Sequence, residues 1–76
     1  MYSQPNIDKL DEFFITAKKG EIYETAIKHI ERLLIEKALE QCFGNQIAAA
    51  KTLGLNRNTL RTKIKQLFID VGRFKQ

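Results

Sequence analysis

Residues 44–67 read GNQIAAAKTLGLNRNTLRTKIKQL, from Gly44 to Leu67. Gly44 suits the left-handed position after a helix, and Asn45 can cap the next one. A short helix then spans about Gln46–Leu53, rich in alanine at Ala48, Ala49 and Ala50. Gly54 stops it, Leu55 points inward, and Asn56 caps a last helix of about Arg57–Phe68. Two short helices joined by the turn Gly54-Leu55-Asn56 form a helix-turn-helix pattern. The pattern needs a small residue where the helices cross, and Ala50 fills that place. It needs a corner free of Cβ strain, which Gly54 supplies. At about 100° per residue, Leu60, Ile64 and Leu67 share one side of the last helix. Asn58, Thr62, Lys65 and Gln66 share the other, with Thr59 at its edge.

Charge follows the same division. Residues 45–76 carry seven Lys/Arg and one acid, Asp70, a net of +6; residues 1–44 carry six Lys/Arg and eight Asp/Glu, a net of −2, and the whole chain is +4. A basic half of this kind calls for a polyanionic partner. In helix-turn-helix proteins the start of the second helix meets base edges in the major groove. Arg57 is therefore the first choice for a bidentate contact to guanine. Asn56, Thr59, Arg61, Lys63 and Lys65 are expected on phosphates, which give affinity and register. Asn45 and Gln46, at the start of the first short helix, are expected to hold a further phosphate. Asn58 belongs to the same exposed face, and Thr62 is suited to a base methyl or a phosphate. Taken singly, each lysine is an ordinary solvent charge; their coincidence with the helix order carries the reading. At the third place after Leu60, where many helix-turn-helix proteins are apolar, this chain has Lys63.

Upstream, Glu21 opens a long helix to about Phe43. Ile22, Tyr23, Ala26, Ile27, Ile30, Leu33, Leu34, Ala38, Leu39 and Cys42 keep helical spacing, and Ile35 widens the stripe beyond one face. A chain of 76 residues buries only about 60% of its unfolded surface, so its core is marginal. With one cysteine and one histidine, neither a disulfide framework nor a zinc cage can reinforce it. The wide stripe is thus expected to be a dimer seam. Ahead of it, Asn6 caps a shorter helix of about Ile7–Lys18 that Gly20 stops. After the last helix, Asp70–Gln76 reads as a polar tail with Val71 and Phe74 clipped to the body. The fold class is all-α.

Other function classes find little support. No nucleophile–base pair in a recognisable setting appears, so an enzyme is not expected, nor a small-molecule substrate, cofactor or metal in this domain. His29 reads as a surface or seam side chain, and Cys42 as a small core hydrophobe. Phe13, Phe14, Tyr23 and Phe43 lie in the acidic half, which disfavours a base-stacking platform for single strands. No run of ~18 apolar residues is present, so no membrane partner is expected. A lone thiol without an export signal points to the cytoplasm.

The stretch Gly44–Leu67, together with IYETAIKHIERLLIEKALEQ before it, closely resembles the helix-turn-helix domain of the Fis family. The same module closes the NtrC-type activators that work with the nitrogen-type sigma factor. The resemblance implies a four-helix domain that intertwines with a second copy as a homodimer, residues 20–76, with the helix-turn-helix at 45–68 and residues 1–19 as linker and N-terminal helix. It implies DNA contacts at Asn45, Gln46, Asn56, Arg57, Thr59, Arg61 and Lys65. At Thr62, relatives often carry a basic residue. The resemblance implies an excised C-terminal domain of a sigma-54-dependent activator, binding an inverted-repeat enhancer on the nucleoid, and the Walker-type glycine loop of such an activator's ATPase domain does not occur in these residues. The alternatives are a free-standing Fis-like DNA-bending protein and a helical protein-interaction module without DNA binding.

Overall fold

The computed structural model describes residues 10–75. They form α1 (Leu10–Thr16), α2 (Ile22–Gln41), α3 (Gln46–Leu53), α4 (Arg57–Gln66) and a closing 3₁₀ helix (Val71–Phe74), with no strand among them. The bounds of α3 agree with the sequence reading, α2 is shorter than expected, and α1 and α4 end earlier. The first helix stops at Thr16, whose hydroxyl donates back to the Glu12 carbonyl at 2.8 Å. The part of that expected helix before Leu10, with its Asn6 cap, lies outside the described residues.

The long helix ends at Gln41, short of the expected Phe43, because Phe43 and Gly44 take left-handed φ values of 53° and 82°. The Gly44 amide then donates to the Leu39 carbonyl at 2.8 Å, closing the helix in the Schellman manner. The last helix closes the same way. Phe68 has φ 55°, and the Ile69 amide donates to the Ile64 carbonyl at 3.1 Å. Both asparagine caps form as expected. Asn45 Oδ1 accepts from the Ala48 amide at 3.1 Å, and Asn56 Oδ1 accepts from the Asn58 amide at 2.8 Å.

The core draws Ile35, Ala38 and Leu39 from α2, Ala49 and Ala50 from α3, Leu60 and Ile64 from α4, and then Leu67 and Ile69. Leu55 and Leu53 pack against it at the corner, and Val71 and Phe74 clip the tail to it, as expected. Ala50 is 2% exposed, which places the small residue at the crossing. One expectation is corrected here. Ile35 does not widen a seam; it is 2% exposed and central to the intramolecular core.

That correction splits α2 into two apolar faces. Ile35, Ala38, Leu39 and Cys42 face α3 and α4. Tyr23, Ile27, Ile30 and Leu34 form a row rotated from it by about 100°, with Leu33 beside that row. Tyr23, Ile27, Leu33 and Leu34 are exposed, as are Leu10, Phe14 and Ile15 of α1. The ring of Phe13 meets His29 edge-on at 5.4 Å and joins α1 to α2. The radius of gyration is 14.1 Å, against ~11 Å for a compact chain of this length.

Candidate nucleic-acid interface

The exposed side of α4 is built by two constraints. Asn56 fixes the start of the helix, and Leu60, Ile64 and the capping residue Leu67 anchor its inner side in the core. The 3.6-residue repeat then turns Arg57, Asn58, Arg61, Thr62 and Lys65 outward. All five are exposed, and so are Thr59 and Gln66. Asn58, Arg61, Thr62 and Lys65 line one shallow hollow. The ten residues of α4 span about 15 Å, a length and width suited to a groove ~12 Å wide.

The electrostatics of this face are one-signed. Among the described residues, Arg57, Arg61 and Lys65 form no ion pair with any acid. The one acid after residue 44, Asp70, is occupied in capping Gly72 at 3.0 Å. A face with free cations and no compensating carboxylates attracts phosphate and leaves the guanidinium forks available for paired acceptors. Thr62 donates its hydroxyl to the Asn58 carbonyl at 3.0 Å, which leaves its methyl and an oxygen lone pair for a partner.

Asn45 and Gln46 stand at the start of α3, Asn45 exposed and Gln46 half-buried. The capping bonds of Asn45 and Asn56 use their side-chain oxygens, so the amide nitrogens remain as donors. These expected contact residues thus carry a folding role as well.

Lys63 goes elsewhere. Its Nζ lies 2.6 Å from Glu31 Oε2, with both side chains about 30% exposed. Lys63, expected on a phosphate, forms a tie between α4 and α2 in this structure. This also accounts for a lysine at a place where many such helices are apolar: its stem borders a small, mostly apolar cleft with Ile35, Leu53 and Leu55, and its charge is met by Glu31. A second tie holds the other end of α4. Arg32 donates to the Leu67 carbonyl and approaches Glu36 at 3.9 Å, and Glu36 in turn approaches Arg73 at 4.0 Å. A cation at a helix C-terminus is favourably placed in the helix field. Sequence reading missed both ties, since their partners are far apart in the chain.

Comparison with known proteins agrees with this architecture. The model of the family described as "Bacterial regulatory protein, Fis family" matches residues 26–67, more than half of the chain. The chain belongs to the Fis family. Over 68 residues this Fis-family chain is 46% identical to the DNA-binding transcriptional regulator NtrC of Azospirillum brasilense, covering 84% of this chain and 14% of that protein. It is 54% identical over 52 residues to the NtrC regulator of a Bradyrhizobium strain, covering 68% of this chain and 11% of that protein. It is 41% identical over 46 residues to the DNA-binding protein Fis of Glaesserella parasuis, covering 60% of this chain and 47% of that protein. The chain therefore spans only a small part of the NtrC proteins and about half of that Fis protein. No solved structure gives a significant match. None of the described helices is long and apolar enough to cross a membrane.

Proposed function

We propose that this domain binds double-stranded DNA in a sequence-specific manner, as a homodimer, in the role of the C-terminal domain of a sigma-54-dependent, NtrC-type transcriptional activator acting on the nucleoid in the cytoplasm. The observation that carries the reading is the acid-free row Arg57, Asn58, Arg61, Thr62 and Lys65, exposed on a helix whose inner side is locked in the core. In this reading Arg57 reads guanine, and Arg61 and Lys65 fix the helix on phosphates. Asn45, Gln46, Asn56 and Thr59 add donors to the backbone, and Thr62 meets a base methyl or a phosphate.

The dimer is supported by the second apolar face of α2. Tyr23 is 80% exposed, and Ile27, Leu33 and Leu34 are also exposed among the described residues. A two-fold pair would present its α4 helices to successive major grooves about 34 Å apart, on an inverted-repeat enhancer.

The activator role is favoured over a free-standing Fis-like protein by the degree of identity. It is 46–54% to the NtrC regulators, against 39–47% to Fis-like and Fis proteins. Selection of bound duplexes from a random pool, followed by a salt titration and a sedimentation mass, tests the reading. A partial inverted repeat, affinity falling linearly with log salt, and a dimer mass are expected. Feeble, sequence-blind binding would leave a helical interaction module instead.

A further inference from the structure

The segment after α4 returns to the start of the helix-turn-helix, and the return is built from specific contacts. Asp70 caps the 3₁₀ helix at the Gly72 amide, 3.0 Å away. The Lys75 amide donates to the Gly72 carbonyl at 3.3 Å. Val71 and Phe74 pack on the core, and Arg73 lies 4.7 Å over the Phe74 ring while reaching toward Glu36. These contacts hold the backbone of Lys75 against Gly44. A Cβ on Gly44 would meet the Lys75 amide nitrogen at 3.2 Å, its Cα at 3.4 Å and its Cγ at 2.6 Å. Gly44 thus serves the left-handed end of α2 and also leaves room for the returning chain.

The two cations of this segment are used differently. Arg73, itself exposed, is engaged by Glu36 and the Phe74 ring. Lys75 is exposed and, among the described residues, has no acid within ion-pair distance. It borders a shallow hollow with Phe43, Asn45, Gln46 and Ile47. The backbone and stem of Lys75 are therefore held beside the two residues proposed to hold a phosphate at the start of α3, within reach of its ammonium, although 30 positions separate Lys75 from Asn45 in sequence. A cation held in place by packing loses less freedom on binding than one on a loose tail.

We propose that Lys75 is a further DNA-backbone contact, which the C-terminal segment delivers across Gly44 to the phosphate site of Asn45 and Gln46. The inference rests on duplex binding by the α4 face and adds a contact outside the helix-turn-helix. It assigns the segment after α4 a role in affinity and register, with no part in base discrimination.

The test compares the wild type with Lys75→Ala, Lys75→Arg and Arg57→Ala on a duplex recovered by selection. Affinity is measured between 50 and 200 mM salt, and thermal melting checks the fold of each variant. Loss of one phosphate contact from each of two subunits should lower the slope of log K against log salt by ~1.8, so that the affinity ratio between those salts shrinks by ~12-fold. Lys75→Ala should show this loss on cognate and random duplexes alike, and Lys75→Arg should restore the slope. Phosphate-ethylation interference should lose a signal in Lys75→Ala that Arg57→Ala retains. An unchanged slope in Lys75→Ala, with Arg57→Ala still weakening binding, would overturn the role of Lys75 and leave duplex binding intact. A wild type with no salt-dependent duplex binding would remove both.

Discussion

Lys63 and Lys65 stand two positions apart on one basic helix, yet the structure gives them opposite tasks. Lys63→Met removes the charge that meets Glu31 at 2.6 Å and keeps most of the stem that borders the cleft with Leu53 and Leu55. A pair with side chains about 30% exposed lies between a surface bridge and a buried one. Exposed pairs contribute about 0.2–1 kcal/mol, and hydrogen bonds to charged groups about 1.5–3 kcal/mol. A coupling of about 1 kcal/mol between Lys63→Met and Glu31→Gln is therefore expected in a double-mutant cycle. For a domain of this size that corresponds to a melting shift of about 4–8 °C, read at fixed protein concentration. The DNA readout should move the other way. Lys65→Ala should lower the salt slope by ~0.9 for each subunit's lost phosphate contact, and Lys63→Met should leave the slope near the wild-type value. If Lys63→Met flattened the slope as much as Lys65→Ala, the Glu31 tie would not describe the bound protein. A coupling of zero would show that the tie contributes nothing to the fold.

Other substitutions probe different parts of the molecule. Arg57→Ala should cost about 1–3 kcal/mol of cognate binding and relax one base position in a repeated duplex selection; unchanged discrimination would move base reading to another residue. Phe68→Gly should raise stability in chemical denaturation by about 1 kcal/mol, because Phe68 is 90% exposed and sits at φ 55°, where a Cβ is strained. Ile27→Glu leaves the Ile35–Leu39–Leu60 core untouched and charges the second face of α2. Sedimentation should then give a monomer with retained helical signal and much weaker binding to an inverted repeat, and a persistent dimer would place the seam elsewhere.

The local chemistry of residues 44–68 was legible from the chain alone. Asn45 and Asn56 cap because a side-chain oxygen can reach amides two or three residues ahead, and both do so. Gly54 at φ 77° closes α3, and the three- and four-residue spacing of Leu60, Ile64 and Leu67 defines the inner side of α4. Each of these rests on neighbours within about one helical turn, so the sequence states both partners together. The exposed cationic face follows from the same periodicity.

What only the tertiary structure decided involves partners distant in the chain. Periodicity assigned Ile35 to the fringe of the long stripe. The angle at which α3 and α4 cross α2 put it at the centre and left Tyr23, Ile27 and Leu34 uncovered. Lys63 reads in sequence as one more phosphate ligand, and the fold adds Glu31, 32 positions away, at its ammonium. Lys75 looked like the end of a polar tail until Asp70, Phe74 and Gly44 together brought it back to Asn45. A helix's phase and caps are set by bonds within its own few turns. The fate of each charge on it depends on which distant carboxylate or backbone the packed chain brings near.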